Sequence, residues 1–259
     1  MNTEKVSYLS KDGVNLSGII NAPKNRDIKG CIVLCHGLCG TKDEWQNWFV
    51  HLSEKLCKEG FRVVRFDFRG HGHSGLNSED MTIAGELMDL EATIDEYTKD
   101  FEQIGLLGYS FGTQASVLYT TKNPQKVKTL VLWAPVLDFK EGFINNPEYN
   151  WGKMFLKKGG YETLEKQGYI TLDINNFKLG RNLFAEFDTY KPYEKLSVVK
   201  CPVLTIHGKQ DRDVVFSFSE KYGKPNEDSR FVPVNADHSL LFARKKVLTE
   251  TVEWYNNHN

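Results

Sequence analysis

The chain has 259 residues, is 40% apolar and 26% charged, and sets 33 basic residues against 34 acidic ones for a net charge of −1. That size and composition fit one globular domain carrying an insertion rather than two independent units. The balance of charge leaves no basic excess to recruit nucleic acid or an anionic membrane, so a small-molecule partner is expected.

The N-terminal stretch MNTEKVSYLSKDG is polar, with no apolar segment of signal-peptide length, and no later run is long enough for a membrane-spanning helix. A cytoplasmic protein is therefore expected. Strands are predicted at Lys5–Ser10, Asn15–Asn21, Gly30–Cys35, Arg62–Asp67, Gln103–Gly108, Lys128–Trp133, Val203–His207 and Arg230–Val234. The first two flank the turn residues Asp12-Gly13 and read as an antiparallel hairpin. The later ones are continuous apolar runs, as a parallel sheet covered on both faces requires. Helices are predicted at Glu44–Lys58, Thr82–Thr98, Phe111–Lys122, Val215–Tyr222 and Leu241–Asn256 from apolar spacing near 3.6 residues. Strands alternating with helices make the fold class α/β, a mostly parallel eight-stranded sheet flanked by helices.

One stretch interrupts the alternation. From about Val136 to Thr189 the chain is aromatic-rich and dotted with Gly and Asn, with a hairpin expected around Ile174-Asn175-Asn176. It is too long for a simple loop. We read residues 136–189 as a small inserted cap between the sixth and seventh strands, on a core of residues 1–135 and 190–259. Five cysteines, an odd number scattered through predicted strands and helices, do not form a disulfide framework. Cys31 and Cys35 belong to the apolar run GCIVLC and read as small buried hydrophobes, so no metal site and no cofactor is expected.

The segment QIGLLGYSFGTQASVLY is a strand, then Gly108-Tyr109-Ser110-Phe111-Gly112, then a helix. This is G-x-S-x-G in strand–turn–helix context, a nucleophile elbow that lifts the Ser110 oxygen above the sheet. A serine needs a base. Of seven histidines, His238 in NADHSLLF lies between the last strand and the C-terminal helix, and Asp211 in HGKQDRDVV follows a strand end. The order Ser110, Asp211, His238 is the chain order of such a triad; Asp213 is the rival acid. The strand Gly30–Cys35 runs into His36-Gly37-Leu38-Cys39-Gly40, which assigns oxyanion-hole N–H donors to Leu38 and Phe111. His36 is read as ordering that loop by hydrogen bonding. DFRGHGHSG, which has no Walker lysine, is read as a tight loop packed against the oxyanion turn.

Through HGLCG, DFRGHGHSG, GYSFG, HGKQD and ADHS, in that order, the chain resembles the α/β-hydrolase superfamily over nearly its whole length. Within it, the layout is similar to bacterial carboxylesterases of the cinnamoyl and feruloyl esterase type, on chain length and an insertion containing a hairpin. The resemblance implies a serine carboxylic-ester hydrolase working through an acyl-enzyme on small esters, aromatic hydroxycinnamoyl esters among them. Asp138 and the aromatics Phe143, Tyr149, Trp151, Phe155, Tyr161 and Tyr169 are offered to the substrate, Asp138, Phe143, Trp151 and Tyr169 foremost; packing the cap onto the core is the competing role for the aromatics. A serine aminopeptidase or amidase, a monoacylglycerol lipase and a receptor that does not turn over stay open, as does a homodimer.

Overall fold

In the computed structural model, which describes residues 1–24 and 27–258 apart from the side chain of Phe143, the main-chain order is as follows. The hairpin β1 (Asn2–Leu9) and β2 (Asn15–Ala22) leads to β3 (Gly30–Cys35), α1 (Trp48–Lys58), β4 (Phe61–Asp67), α2 (Ile83–Tyr97), β5 (Ile104–Tyr109), α3 (Thr113–Lys122) and β6 (Val127–Trp133). The segment that follows holds a π-helical turn (Lys140–Ile144), α4 (Asn150–Lys157), α5 (Gly160–Gln167), the short strands β7 (Tyr169–Thr171) and β8 (Lys178–Gly180), α6 (Arg181–Ala185) and α7 (Pro192–Leu196). The chain ends with β9 (Val203–Gly208), α8 (Phe216–Tyr222), β10 (Arg230–Val234) and α9 (Arg244–His258).

Eight strands form one sheet in the order β1-β2-β4-β3-β5-β6-β9-β10. The β1/β2 and β2/β4 pairs are antiparallel and the rest parallel. Side chains of a strand alternate between faces, and β3 shows the consequence. Cys31, Val33 and Cys35 enter the core under α2 and α3, while Ile32 and Leu34 enter the core under α1 and α9. Cys31 and Cys35 are free, fully buried thiols whose ionisation burial opposes, as expected of small hydrophobes.

Helix α9 is tied to the sheet by polar ends of large side chains. Trp133 Nε1 donates to Thr251 Oγ1 (3.0 Å), Trp254 Nε1 to Thr129 Oγ1 (2.7 Å) and the Tyr255 hydroxyl to the Leu106 carbonyl (3.0 Å). Each buries a large apolar body while satisfying its one polar atom. The expected hairpin is present: Asn175 and Asn176 both take φ 52° and Phe177 N–H donates to the Ile174 carbonyl (2.9 Å). Two consecutive positive φ values make the type I′ turn that matches strand twist. Among the described residues no helix is long and apolar enough to cross a membrane.

Helix α1 begins later than the sequence predicts. Residues Trp45–Asn47 form a 3₁₀ turn in which Gln46 (φ 53°) and Asn47 (φ 57°) are left-handed. Glu44, expected as the first helical residue, lies outside the helix because its carboxylate is used elsewhere.

The loop after β4 is held by buried charge. The Asp67 carboxylate accepts from Lys42 N (2.6 Å) and His73 N (2.9 Å) and pairs with the Lys42 ammonium. Burial works against its charge, but the Lys42 bonds hold its pKa below the usual carboxylate range. Its stabilisation is thus present above the ordinary carboxylate pKa and lost as the pH falls through the lowered one. Asp67→Asn leaves the Lys42 ammonium without its counter-charge, and a loss of about 3 kcal/mol is expected. Chemical denaturation reads this as a lower midpoint.

Candidate active site

Ser110 follows β5 directly and takes φ 51°, a left-handed conformation that a non-glycine residue holds only under constraint. The constraint is crowding. A Cβ added at Gly108 would lie 2.3 Å from Ser116 Oγ, and one at Gly112 would lie 2.4 Å from the Cys35 carbonyl and 2.5 Å from that of His36. The two glycines let α3 start against the end of β3.

Distant strand ends then converge. Ser110 Oγ lies 2.9 Å from His238 Nε2, and His238 Nδ1 lies 2.7 Å from Asp211 Oδ2. The loop carrying His238 is gripped from two sides. Tyr109 stacks on its imidazole (centroids 5.7 Å) and donates its hydroxyl to the His238 carbonyl (3.0 Å), while Trp48 Nε1 donates to the Ser239 carbonyl (3.0 Å).

Asp211 is buried and accepts four hydrogen bonds. Oδ1 takes the N–H groups of Asp213 and Val214 (2.8 Å each), and Oδ2 takes His238 Nδ1 and His207 Nε2 (2.9 Å). Burial opposes its charge, but the His238 charge and the His207 bond hold its pKa well below the usual carboxylate range. Burial likewise disfavours a charged His238, and the facing Asp211, with Asp213 and Glu44 beyond it, more than reverses this and raises its pKa. Burial keeps His207 neutral; its Nδ1 accepts from the Ser219 hydroxyl (2.7 Å). Ligand atoms of Asp211, Asp213 and His238 lie within 4.8 Å of one another. The four donors on Asp211, however, occupy the lone pairs that a cation would need.

The rival acid makes no hydrogen bond to the imidazole among the described residues. Asp213 Oδ1 accepts from Asn150 Nδ2 (2.7 Å), and Asn150 N–H donates to the Arg212 carbonyl (2.7 Å), so α4 begins against the acid loop.

Opposite the imidazole stands the loop after β3. Its Gly37 backbone packs against Ser110, since a Cβ there would lie 3.1 Å from Ser110 Cβ. Gly40 N–H donates to the Gly37 carbonyl (3.0 Å), closing a turn over Leu38 and a left-handed Cys39 (φ 61°). Among the described residues, the N–H groups of Leu38 and Phe111 have no protein acceptor. His36 Nδ1 donates to the Gly37 carbonyl (2.8 Å) and Nε2 accepts from Phe68 N–H (2.9 Å). Burial lowers its pKa, so it is a neutral brace for this loop, as expected. His71 packs on His36 (4.8 Å) and Phe177 of the hairpin packs on His71 (4.8 Å); burial and the neighbouring His36 push the His71 pKa down to about 3.

Glu44 was not singled out by sequence, where an acidic residue ahead of an apolar run reads as a helix-start signal. It is buried, in a backbone conformation (φ 58°, ψ 165°) that costs about 1–3 kcal/mol outside glycine. Its Oε2 accepts from Gly37 N–H (2.7 Å) and Oε1 from Trp45 N–H (2.8 Å).

The residues offered to the substrate fare differently. Asp138 Oδ1 accepts from Glu141 N–H (2.8 Å), a local turn bond. Tyr169, on β7, lies under the Lys178 ammonium (4.4 Å). Trp151 is half-buried against the core beside Asn150. The Phe143 side chain lies outside the described residues. Phe155 is buried and stacks on Phe184 (5.4 Å), which meets Phe187 (5.0 Å). Phe187 stacks on Phe139 (3.6 Å), and Phe139 meets Phe111 edge-on (5.2 Å).

A family model described as alpha/beta hydrolase fold matches residues 30–163, just over half of the chain. The chain belongs to the alpha/beta hydrolase fold family. Among curated relatives of this α/β hydrolase is the AB hydrolase superfamily protein YisY of Bacillus subtilis, 24% identical over 240 residues covering 81% of this chain and 86% of the relative. Among solved structures, Est1E from Butyrivibrio proteoclasticus with bound ferulic acid superposes with a TM-score of 0.82 at 22% identity, covering 98% and 99% of the two chains. Mouse alpha/beta hydrolase domain-containing protein 10 superposes at 0.77 and 18% identity, over 99% and 100%.

Gly112→Ala is expected to cost about 1–3 kcal/mol through overpacking. It should also slow any reaction at Ser110, because the added methyl pushes α3 away from β3. Thermal melting together with labelling of Ser110 by a fluorophosphonate checks both.

Proposed function

We propose that this α/β hydrolase is a serine hydrolase that cleaves carboxylic esters through an acyl-enzyme on Ser110. One observation carries the reading: the unbroken chain from Ser110 Oγ through both nitrogens of His238 to Asp211, with links of 2.9 and 2.7 Å. Hydroxyl, imidazole and buried carboxylate in that order are the parts that nucleophilic acyl transfer needs.

In this reading His238 Nε2 takes the Ser110 proton as Oγ attacks the ester carbonyl. Asp211 fixes the tautomer through Nδ1 and stabilises the imidazolium that forms. The carbonyl oxygen, now an anion, is received by the N–H groups of Leu38 and Phe111. His238 then protonates the leaving alcohol, and a water molecule repeats the sequence on the acyl-enzyme. The helix start at α3 adds a positive end near the developing charge.

For the substrate we propose small esters with an apolar or aromatic acyl group. The half-buried Trp151 beside the acid loop supports this, as does the fold shared with a protein whose structure holds ferulic acid. An aminopeptidase would need free carboxylates for a substrate ammonium. Asp188, Asp173 and Glu162 pair with Lys140, Lys158 and Lys166, and Glu186 accepts from Ile83 and Ala84 N–H (2.5 and 3.2 Å), whereas Glu141, Glu148 and Glu165 form no ion pair among the described residues and keep that reading open.

Ser110→Ala is expected to abolish both p-nitrophenyl ester turnover and fluorophosphonate labelling without loss of folding. Asp211→Asn should lower kcat about 10⁴-fold, the scale of a triad whose acid is amidated. Full turnover in Ser110→Ala would end the proposal, and rapid labelling of the wild type without turnover would make the chain a receptor. A panel of acetyl, butyryl, octanoyl and hydroxycinnamoyl esters, each with its amide, reads acyl preference and bond type together.

His238 is competent as a base only when neutral, and its pKa is raised. The rate should therefore rise with pH, with an acid limb above the ordinary imidazole value of about 6.5. A profile of kcat/KM against pH measures the limb.

A further inference from the structure

We infer that Glu44 is a positioning residue of this site: its carboxylate holds the Gly37 N–H, and with it the entry to the turn that aims the Leu38 N–H at the oxyanion, and its charge acts on His238. The inference deepens the acyl-transfer reading above and rests on it.

The geometry carries it. A peptide plane is rigid, so Gly37 is locked when the plane after it, which carries the Leu38 N–H, is held at the Gly37 carbonyl and the plane before it is held by a bond to the Gly37 N–H. Glu44 Oε2 makes that bond at 2.7 Å, and the Gly40 to Gly37 bond closes the same turn from the other side. Oε1 is occupied by Trp45 N–H at 2.8 Å, so the carboxylate cannot rotate without breaking a second bond. A donor displaced from the oxyanion loses most of its catalytic value, which is on the order of a hundredfold for one oxyanion-hole N–H.

Three titratable groups face this carboxylate. They are His238 from the loop before α9, Tyr109 from β5 and Cys39 from its own loop. Burial raises the Tyr109 and Cys39 pKa values and keeps both neutral. That leaves His238 as the charge to which Glu44 responds. Burial raises Glu44 itself to about 6, against the hydrogen bonds from Trp45 and Gly37 and the His238 charge. The acid side of the rate profile then contains two protonations, one on His238 and one on Glu44. Protonating Glu44 weakens the grip on Gly37 and removes an anion that favours the imidazolium.

The test uses the wild type, Glu44→Gln and Glu44→Ala, with ester turnover and the rate of fluorophosphonate labelling of Ser110 both followed against pH. Glu44→Gln keeps one acceptor and loses the charge. We expect kcat to fall about tenfold with KM within about twofold, and the acid limb to move to lower pH with a single protonation. Glu44→Ala should fall further, by about a hundredfold in kcat. Melting curves give the folded fraction, and the steepness of the wild-type acid limb tests the coupling with no variant at all.

A Glu44→Gln protein with wild-type kcat and an unmoved acid limb overturns the inference, as does a wild-type limb of one protonation. A wild type that neither labels nor turns over removes the acyl-transfer reading itself, a result distinct from either.

Discussion

A carboxylate with almost no exposed surface has to find its partners inside the protein, and Asp211 finds four. Leaving such a charge uncompensated would cost several kcal/mol, so the surroundings are arranged to hold it. The turn after β9 supplies two backbone donors, and His207, at the end of the strand, supplies a third. The fourth is His238, which reaches Asp211 only because Tyr109 and Trp48 hold its loop by the carbonyls of residues 238 and 239. Loosening any of these would leave a buried anion short of a donor. The position of His238 follows from the needs of that anion.

Strain is concentrated at the same rim. Of the non-glycine residues with left-handed backbone, Cys39, Glu44, Gln46, Asn47, Ser110, Ala134 and Leu240 lie at or next to loops leaving the ends of strands that carry the site, and Leu76, Asn175 and Asn176 lie elsewhere. Each such residue is a local cost that surrounding contacts must offset. At Ser110 the offset is the close approach of α3 to β3. At Glu44 it is the pair of backbone donors that its carboxylate receives. Strands and helices supply the rigidity, and the turns absorb the awkward angles.

The parallel part of the sheet was readable because its strands carry apolar runs such as GCIVLC and the LVLW that ends β6, as a doubly covered sheet requires. Ser110, Asp211 and His238 were readable for a related reason: each follows a strand end, and strand ends of one sheet gather along one edge. The Asn175-Asn176 hairpin declared itself through residues that tolerate positive φ. Less was visible where short segments take their form from tertiary contacts, as in the π-helical turn and α4 to α6. Helix α7 carried a start signal, Pro192 at its first turn, in a stretch too short to show periodicity. Glu44 was hidden because nothing in local sequence distinguishes a carboxylate that caps a helix from one turned inward onto a glycine seven residues earlier. Its partner, Gly37, belongs to a different turn.

The tilted contact of Phe177 on His71 and the edge-on contact of His71 on His36 join the tip of the β7–β8 hairpin to the residue that braces the loop over Ser110. Anyone grafting a foreign segment between β6 and β9 to alter selectivity would remove the topmost ring and leave two neutral imidazoles facing a void. Such chimaeras would lose support for the loop beside Ser110, however well the new segment itself packs. Retaining an aromatic side chain at that one place is the condition for exchanging the remainder.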